Sequence, residues 1–131
     1  MKKILVAGAG HGGLICATLL SQKKYDVTVI EKRAEKDLGF PWHDDVMIEV
    51  FHDFGIDIDS IPWHRKENLL FRPPNLACEL ELVVPDEERE IAIDRKDLYK
   101  LFIGEAKKNG VKFLFEEEVL EPIFNDQKIT G

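Results

Sequence analysis

Apolar and polar positions along this chain switch between two periods. Ile4 to Ala7 is a short continuous apolar run, the pattern of a strand buried on both faces. Leu14, Ala17 and Leu20/Ser21 then recur at helical intervals. Val27 to Ile30 is a second apolar run rich in β-branched residues, and Glu31 closes it. The pattern predicts strand, helix, strand. Gly8, Gly10 and Gly13 stand between the first strand and the helix in the spacing G-x-G-x-x-G.

Each of these residue types has a physical reason to be where it is. Gly8 allows a tight turn off the strand. Gly10 lacks a side chain, so a pyrophosphate can approach the backbone. Gly13 lets the helix pack closely on the sheet. The N–H groups at the start of the helix, aided by its dipole, attract a phosphate. Glu31 falls at the end of the second strand, where a carboxylate can accept both hydroxyls of an adenosine ribose. The register of strand, turn, helix, strand and acid points to a dinucleotide.

The rest of the chain is less regular. Lys32 to Asp37 reads as a polar loop, and Gly39 to Asp45 as an irregular aromatic segment. Val46, Ile48 to Phe51 and Phe54 make a helix that stops at Gly55. Ile56 to Arg72 is mixed, and Pro62, Pro73 and Pro74 break any long element there. Residues 79–93 read as an antiparallel hairpin, Leu80–Val84 against Arg89–Ile93 around an acidic turn. Asp94 is a good N-cap for a helix whose apolar stripe is Leu98, Leu101, Phe102 and Ala106. Asp97 stands three residues on, an imperfect capping box. Gly110 ends that helix, and Val111 to Phe115 is another buried strand. Val119 to Thr130 begins further β-structure with a turn at Asn125-Asp126-Gln127.

Composition narrows the function. The chain has 131 residues, 44% hydrophobic and 33% charged, enough for one domain (1–131) with a real core. Its net charge of −7 argues against nucleic acid or an anionic membrane as a partner. There is no signal peptide and no membrane-spanning run, so a cytoplasmic location is expected. Cys16 and Cys78 form no motif and read as buried hydrophobes in a reducing compartment. His11, His43, His52 and His64 match no common metal-ligand spacing. Trp42, His43 and Asp44 read first as a packing loop, and Trp63 and His64 as packing residues. Asp86–Glu88 and Glu116–Glu118 read as solvated turns. No serine or cysteine carries a nucleophile motif, and no catalytic side chain is named.

Three blocks resemble the N-terminal half of FAD-dependent oxidoreductases, the para-hydroxybenzoate hydroxylase-like monooxygenases and geranylgeranyl reductase-like enzymes. They are VAGAGHGGLICATLL ending at Val29-Ile30-Glu31-Lys32-Arg33, the helix start Ile93-Asp94-Arg95-Lys96-Asp97-Leu98-Tyr99-Lys100-Leu101, and Gly110-Val111-Lys112-Phe113 running to Val119. The resemblance implies an α/β Rossmann-type FAD-binding fold with a βαβ start and an inserted β-hairpin on the substrate side. The Gly-Asp segment and substrate sheet of that family have no counterpart here, so the fold reads as incomplete. By the same resemblance, Gly8, Ala9, Gly10, His11, Gly12 and Gly13 line the pyrophosphate. Glu31 holds the ribose, with Lys32 and Arg33 flanking the adenine. Arg95 reaches the phosphate and ribityl region, a role suited to a permanently charged fork, or pairs with an acid such as Asp97. The backbone of Val119 meets the adenine edge.

The resemblance further implies a flavin-dependent redox reaction on a small organic substrate, with FAD as cofactor and NAD(P)H as possible electron donor. The chain alone is expected to be inactive. Two alternatives stand beside it, an NAD-binding dehydrogenase domain and a nucleotide-binding fragment without turnover. If the chain stops within a sheet, an unpaired strand near Val119–Thr130 should drive self-association.

Overall fold

The computed structural model describes residues 1–130. These residues form two compact units, residues 1–38 with 102–130, and residues 39–101.

The first unit is built on strands β1 (Lys3–Ala7), β2 (Asp26–Glu31) and β8 (Lys112–Phe115). They form a parallel sheet in the order β1-β2-β8. Helix α1 (His11–Gln22) connects the first two strands and buries Leu14, Ala17 and Thr18. Thr18 satisfies its buried hydroxyl by donating to the Leu14 carbonyl at 2.8 Å. The alternating side chains Val27 and Val29 of the central strand are buried at 1% and 0% exposure, which holds the sheet's register. Short strands β9 (Phe124–Asn125) and β10 (Lys128–Ile129) pair with each other around Asp126 and Gln127, both in the left-handed region.

The second unit carries antiparallel strands β3 (His43–Val46), β7 (Ile91–Asp94) and β4 (Trp63–Arg65), ordered β3-β7-β4. A separate ribbon pairs β5 (Leu69–Phe71) with β6 (Leu80–Leu82). Helix α2 (Glu49–Asp53) buries Phe51, and the chain turns at Gly55. Helix α3 (Arg95–Lys108) begins in this unit. The Asp94 carboxylate accepts the Lys96 N–H at 2.8 Å, so it caps the helix as its position predicts. Leu98, Leu101, Phe102 and Ala106 are all buried, and Gly110 in the left-handed region follows the helix.

Several sequence expectations are corrected. Leu80–Val84 and Arg89–Ile93 do not pair with each other. β6 takes β5 as partner, and β7 lies between β3 and β4. Local turn chemistry predicts a hairpin of the two runs, but β6 pairs with the strand before it and β7 with the more distant β3 and β4. Strand β3 occupies part of the stretch expected to be irregular, and α2 starts at Glu49 rather than Val46. The Ile4–Ala7 strand is not buried on both faces, because β1 is an edge strand and Leu5 is 63% exposed. β8 alternates likewise, with Leu114 half exposed. Cys16 and Cys78 are exposed rather than buried. The strand expected to stand unpaired within Val119–Thr130 closes on itself as β9–β10.

An ion pair crosses the parallel sheet, from Lys112 Nζ on β8 to Asp26 Oδ1 on β2 at 2.7 Å. The hydrogen bond from Lys112, with the lysine's charge, holds the Asp26 carboxyl below its ordinary range. A lowered native value means the pair's contribution is present above the unfolded carboxyl's value near pH 4 and fades as the pH falls through the native value. We therefore expect Asp26→Asn to be less stable than the parent at pH 7, with the gap closing below about pH 4. Denaturant unfolding followed by circular dichroism at several pH values checks this.

Candidate functional site

The site begins at the turn between β1 and α1. Gly8 has φ +92, a backbone conformation costly for any side chain, and its N–H donates to the Ile30 carbonyl at 2.8 Å. A Cβ at Gly13 would collide with the carbonyl oxygen of Gly8, so the third glycine is required for α1 to pass against the turn. Around Gly10 the space is open, with no atom within 4 Å of where a Cβ would be. Gly10 caps α1 without any side-chain partner, and no acid lies in the first turn of the helix. A helix start of this kind presents its N–H groups and positive dipole end to an anion. The open cradle at Gly10 and this donor set fit a pyrophosphate.

The end of β2 is clasped to that turn. Glu31 Oε2 accepts the Ala9 N–H at 2.8 Å, and Oε1 accepts the Arg33 N–H at 2.9 Å. An ionised carboxylate has about four acceptor sites. Two are used in holding the turn, which leaves capacity for the two hydroxyls of a ribose. Ala9 is fully buried, so the turn has little room to shift. The ring of His11 packs edge-on against Phe102, with centroids 5.8 Å apart, so this side chain serves the helix packing.

A cavity of about 230 Å³ opens beside the carboxylate. Ala7, Gly8 and Ile30 line one side, and Glu31 with Lys32 the end of β2. The third side is Glu117, Glu118 and Val119. The chain reaches it through Glu116, which adopts φ 64 and redirects the backbone after β8. The Glu116 N–H then donates to the Arg33 carbonyl at 3.3 Å, and the Glu117 N–H to the Glu31 carbonyl at 3.1 Å. Lys32 Nζ lies 3.7 Å from Glu118 Oε1 across the rim. Of the residues singled out in the sequence, Gly8, Glu31, Lys32 and Val119 share this cavity. Ala9 and Gly10 to Gly13 form the adjoining turn and helix start, and Arg33 contributes its backbone. Glu117 and Glu118 were read as a solvated turn. Only their register against β2, invisible in a linear charge run, reveals them as cavity wall.

Arg95 belongs to the second unit, and its partner is Asp44 rather than Asp97. Arg95 Nε donates to both carboxylate oxygens of Asp44, at 3.1 and 2.9 Å, and Nη2 donates to Oδ1. Asp97 instead accepts from Lys100. The ring of Phe40 sits 4.4 Å from the guanidinium carbon, and the Arg95 N–H donates to the Trp42 carbonyl. Asp44 raises the guanidinium above its ordinary value, so it stays cationic at any physiological pH. Trp42 stacks on His43 with ring centroids 5.5 Å apart. Among the described residues, no three His, Cys, Asp or Glu side chains are grouped to hold a metal, and no helix is long and apolar enough to cross a membrane.

Comparison with known proteins agrees with this geometry. Residues 6–59 match the NAD(P)-binding Rossmann-like domain. A digeranylgeranylglycerophospholipid reductase from Methanosphaerula palustris is 24% identical over 129 residues, 98% of this chain but 32% of that protein. A geranylgeranyl bacteriochlorophyll reductase-like protein from Thermoplasma acidophilum superposes with a TM-score of 0.78 at 20% identity. It is matched by all of this chain over 34% of its own length. The flavin-dependent halogenase CmlS superposes with a TM-score of 0.75 at 18% identity, 96% of this chain covering 24% of it. The chain thus has the Rossmann-type α/β fold that these proteins share, and it spans about a third of the reductases' length.

The glycine positions separate stability from binding. Gly13→Ala should destabilise the chain by about 1–3 kcal/mol through overpacking against the Gly8 carbonyl. Gly10→Ala, at φ −72 and ψ 172, is conformationally acceptable and should keep most of the stability while weakening ADP binding. Denaturant melts and calorimetric titration of the two variants check both halves of the statement.

Proposed function

We propose that this chain supplies the ADP-binding portion of a flavin-dependent oxidoreductase, with FAD as its cofactor. One observation carries the reading: the Glu31 carboxylate is tied to the glycine turn and lines the cavity beside it. Phosphate and ribose sites are therefore rigidly spaced. The turn and the N-terminus of α1 take the pyrophosphate, Glu31 the ribose, and the backbone near Val119 the adenine edge. Lys32 and Arg33 flank the adenine side. The reading also keeps Arg95 as a cofactor-binding residue, with its Nε and Nη2 already donating to Asp44.

A bound flavin supplies the redox chemistry, and the protein supplies binding, position and electrostatics. The complete enzyme acts on a small organic substrate, either reducing a carbon–carbon double bond or activating oxygen, with NAD(P)H as electron donor. The likeness to reductases and to a halogenase supports both branches equally. The 131 residues alone bind nucleotide without turnover. The reading includes a cytoplasmic setting, in which thiols such as Cys16 and Cys78 stay reduced. It also includes self-association, for which the edge strand β1 with its exposed Leu5 is the better seat.

A second reading, an NAD-binding dehydrogenase domain, draws support from the matched NAD(P)-binding domain at residues 6–59. Calorimetric titration of the full chain with FAD, NAD and ADP separates the two. FAD binding more tightly than NAD supports the flavoprotein, and NAD binding best transfers the assignment to the dehydrogenase. Glu31→Gln should weaken ADP binding by about 1.5–3 kcal/mol, the scale of hydrogen bonds to a charged group. An unchanged affinity in a folded variant removes Glu31 from the site.

A further inference from the structure

The acidic run that follows β8 has a place in the proposed adenosine site. Glu117 and Glu118 line the cavity that Glu31 also lines. Three glutamates therefore line the space assigned to the ribose, with one lysine, Lys32. Lys32 alone would invite an extra phosphate on the ribose, since a lysine at this position is a point charge well suited to one. Glu118 sits 3.7 Å from that ammonium and answers its charge. Both side chains are well exposed, 63% and 59%, so the pair adds little to folding. Its consequence lies in the potential of the cavity.

We infer that Glu117 and Glu118 are specificity-determining residues that, together with Glu31, restrict the cavity to adenosine with an unphosphorylated 2′-hydroxyl. The inference rests on the reading of this cavity as the adenosine site. The mechanism is charge rather than shape. A 2′-phosphate carries close to two negative charges and would enter a cavity lined by three glutamates. The backbone bond from the Glu117 N–H to the Glu31 carbonyl keeps that wall in place. Glu118 also withholds Lys32 from acting as the phosphate's partner. Glu31 alone would disfavour the phosphate by losing its hydroxyl contacts, whereas the added wall makes the penalty electrostatic and therefore sensitive to salt.

The test is calorimetric titration of the full chain with ADP and with ADP phosphorylated at the ribose 2′ position. It is run at low and high salt, on the parent and on the double variant Glu117→Gln/Glu118→Gln. The parent should prefer ADP by about thirtyfold or more at low salt, and the preference should shrink at high salt. The double variant keeps side-chain size, and its preference for ADP over the 2′-phosphorylated ligand should fall about tenfold. A preference unchanged in the double variant overturns the inference and leaves the adenosine site standing. So does a parent that binds both ligands equally. A double variant that loses ADP binding while folded also overturns it, since the two glutamates would then serve binding rather than discrimination. If the parent binds no ADP, the inference and the reading beneath it fall together.

Discussion

The carboxylate of Glu31 joins two pieces of chain that would otherwise move independently. It sits at the end of β2 and accepts the N–H of Ala9, inside the turn that leaves β1. The parallel pairing of β1 with β2 brings the two within reach, with Ala7 opposite Ile30. The same pairing lets the Gly8 N–H bond to Ile30. A turn fixed at both its first and second residues has little freedom left. The start of α1, and the anion site that it creates, are thereby held at a set distance from the carboxylate. Preorganisation of this kind lowers the entropy lost on binding.

Packing reinforces the constraint. Gly13 lies so close to Gly8 that no side chain fits, which seats the helix on the turn. Leu14 and Ala17 then bury the helix's inner face, and Val27 and Val29 supply fully buried side chains from the central strand. The second unit follows a different logic. There β7 is the central strand, with Ile91 and Ile93 buried, and the Arg95–Asp44 pair ties the start of α3 to β3. Arg95 thus has a structural partner in hand within its own unit.

The sequence made local features legible and long-range ones obscure. The glycine turn, α1, β2 and Glu31 were readable because each has a short-range signature and the signatures fall in one register. The same is true of α3, whose stripe, cap and terminal Gly110 act within a few residues. The β6 and β7 partners were not readable. An acidic turn between two strand-like runs resembles a hairpin, but β6 pairs backward with β5, 9 to 13 positions away, and β7 with β3 and β4, 26 to 51 positions away. Cys16 was misjudged for a related reason: a helix in this unit hides one stripe only, and Cys16 lies off the stripe set by Leu14, Ala17 and Thr18. Glu117 and Glu118 became part of the site only when the positive φ of Glu116 and the bonds to Arg33 and Glu31 drew them across the end of β2.

The central claim is that one rigid unit, the glycine turn with Glu31, receives the pyrophosphate and the ribose of a nucleotide together. A crystal structure of the chain grown with ADP tests it most directly. The account predicts phosphate oxygens within hydrogen-bond distance of the N–H groups at the start of α1, and ribose hydroxyls on the Glu31 carboxylate with its bond to Ala9 intact. ADP seated elsewhere, or bound with the Glu31–Ala9 bond broken, would contradict it.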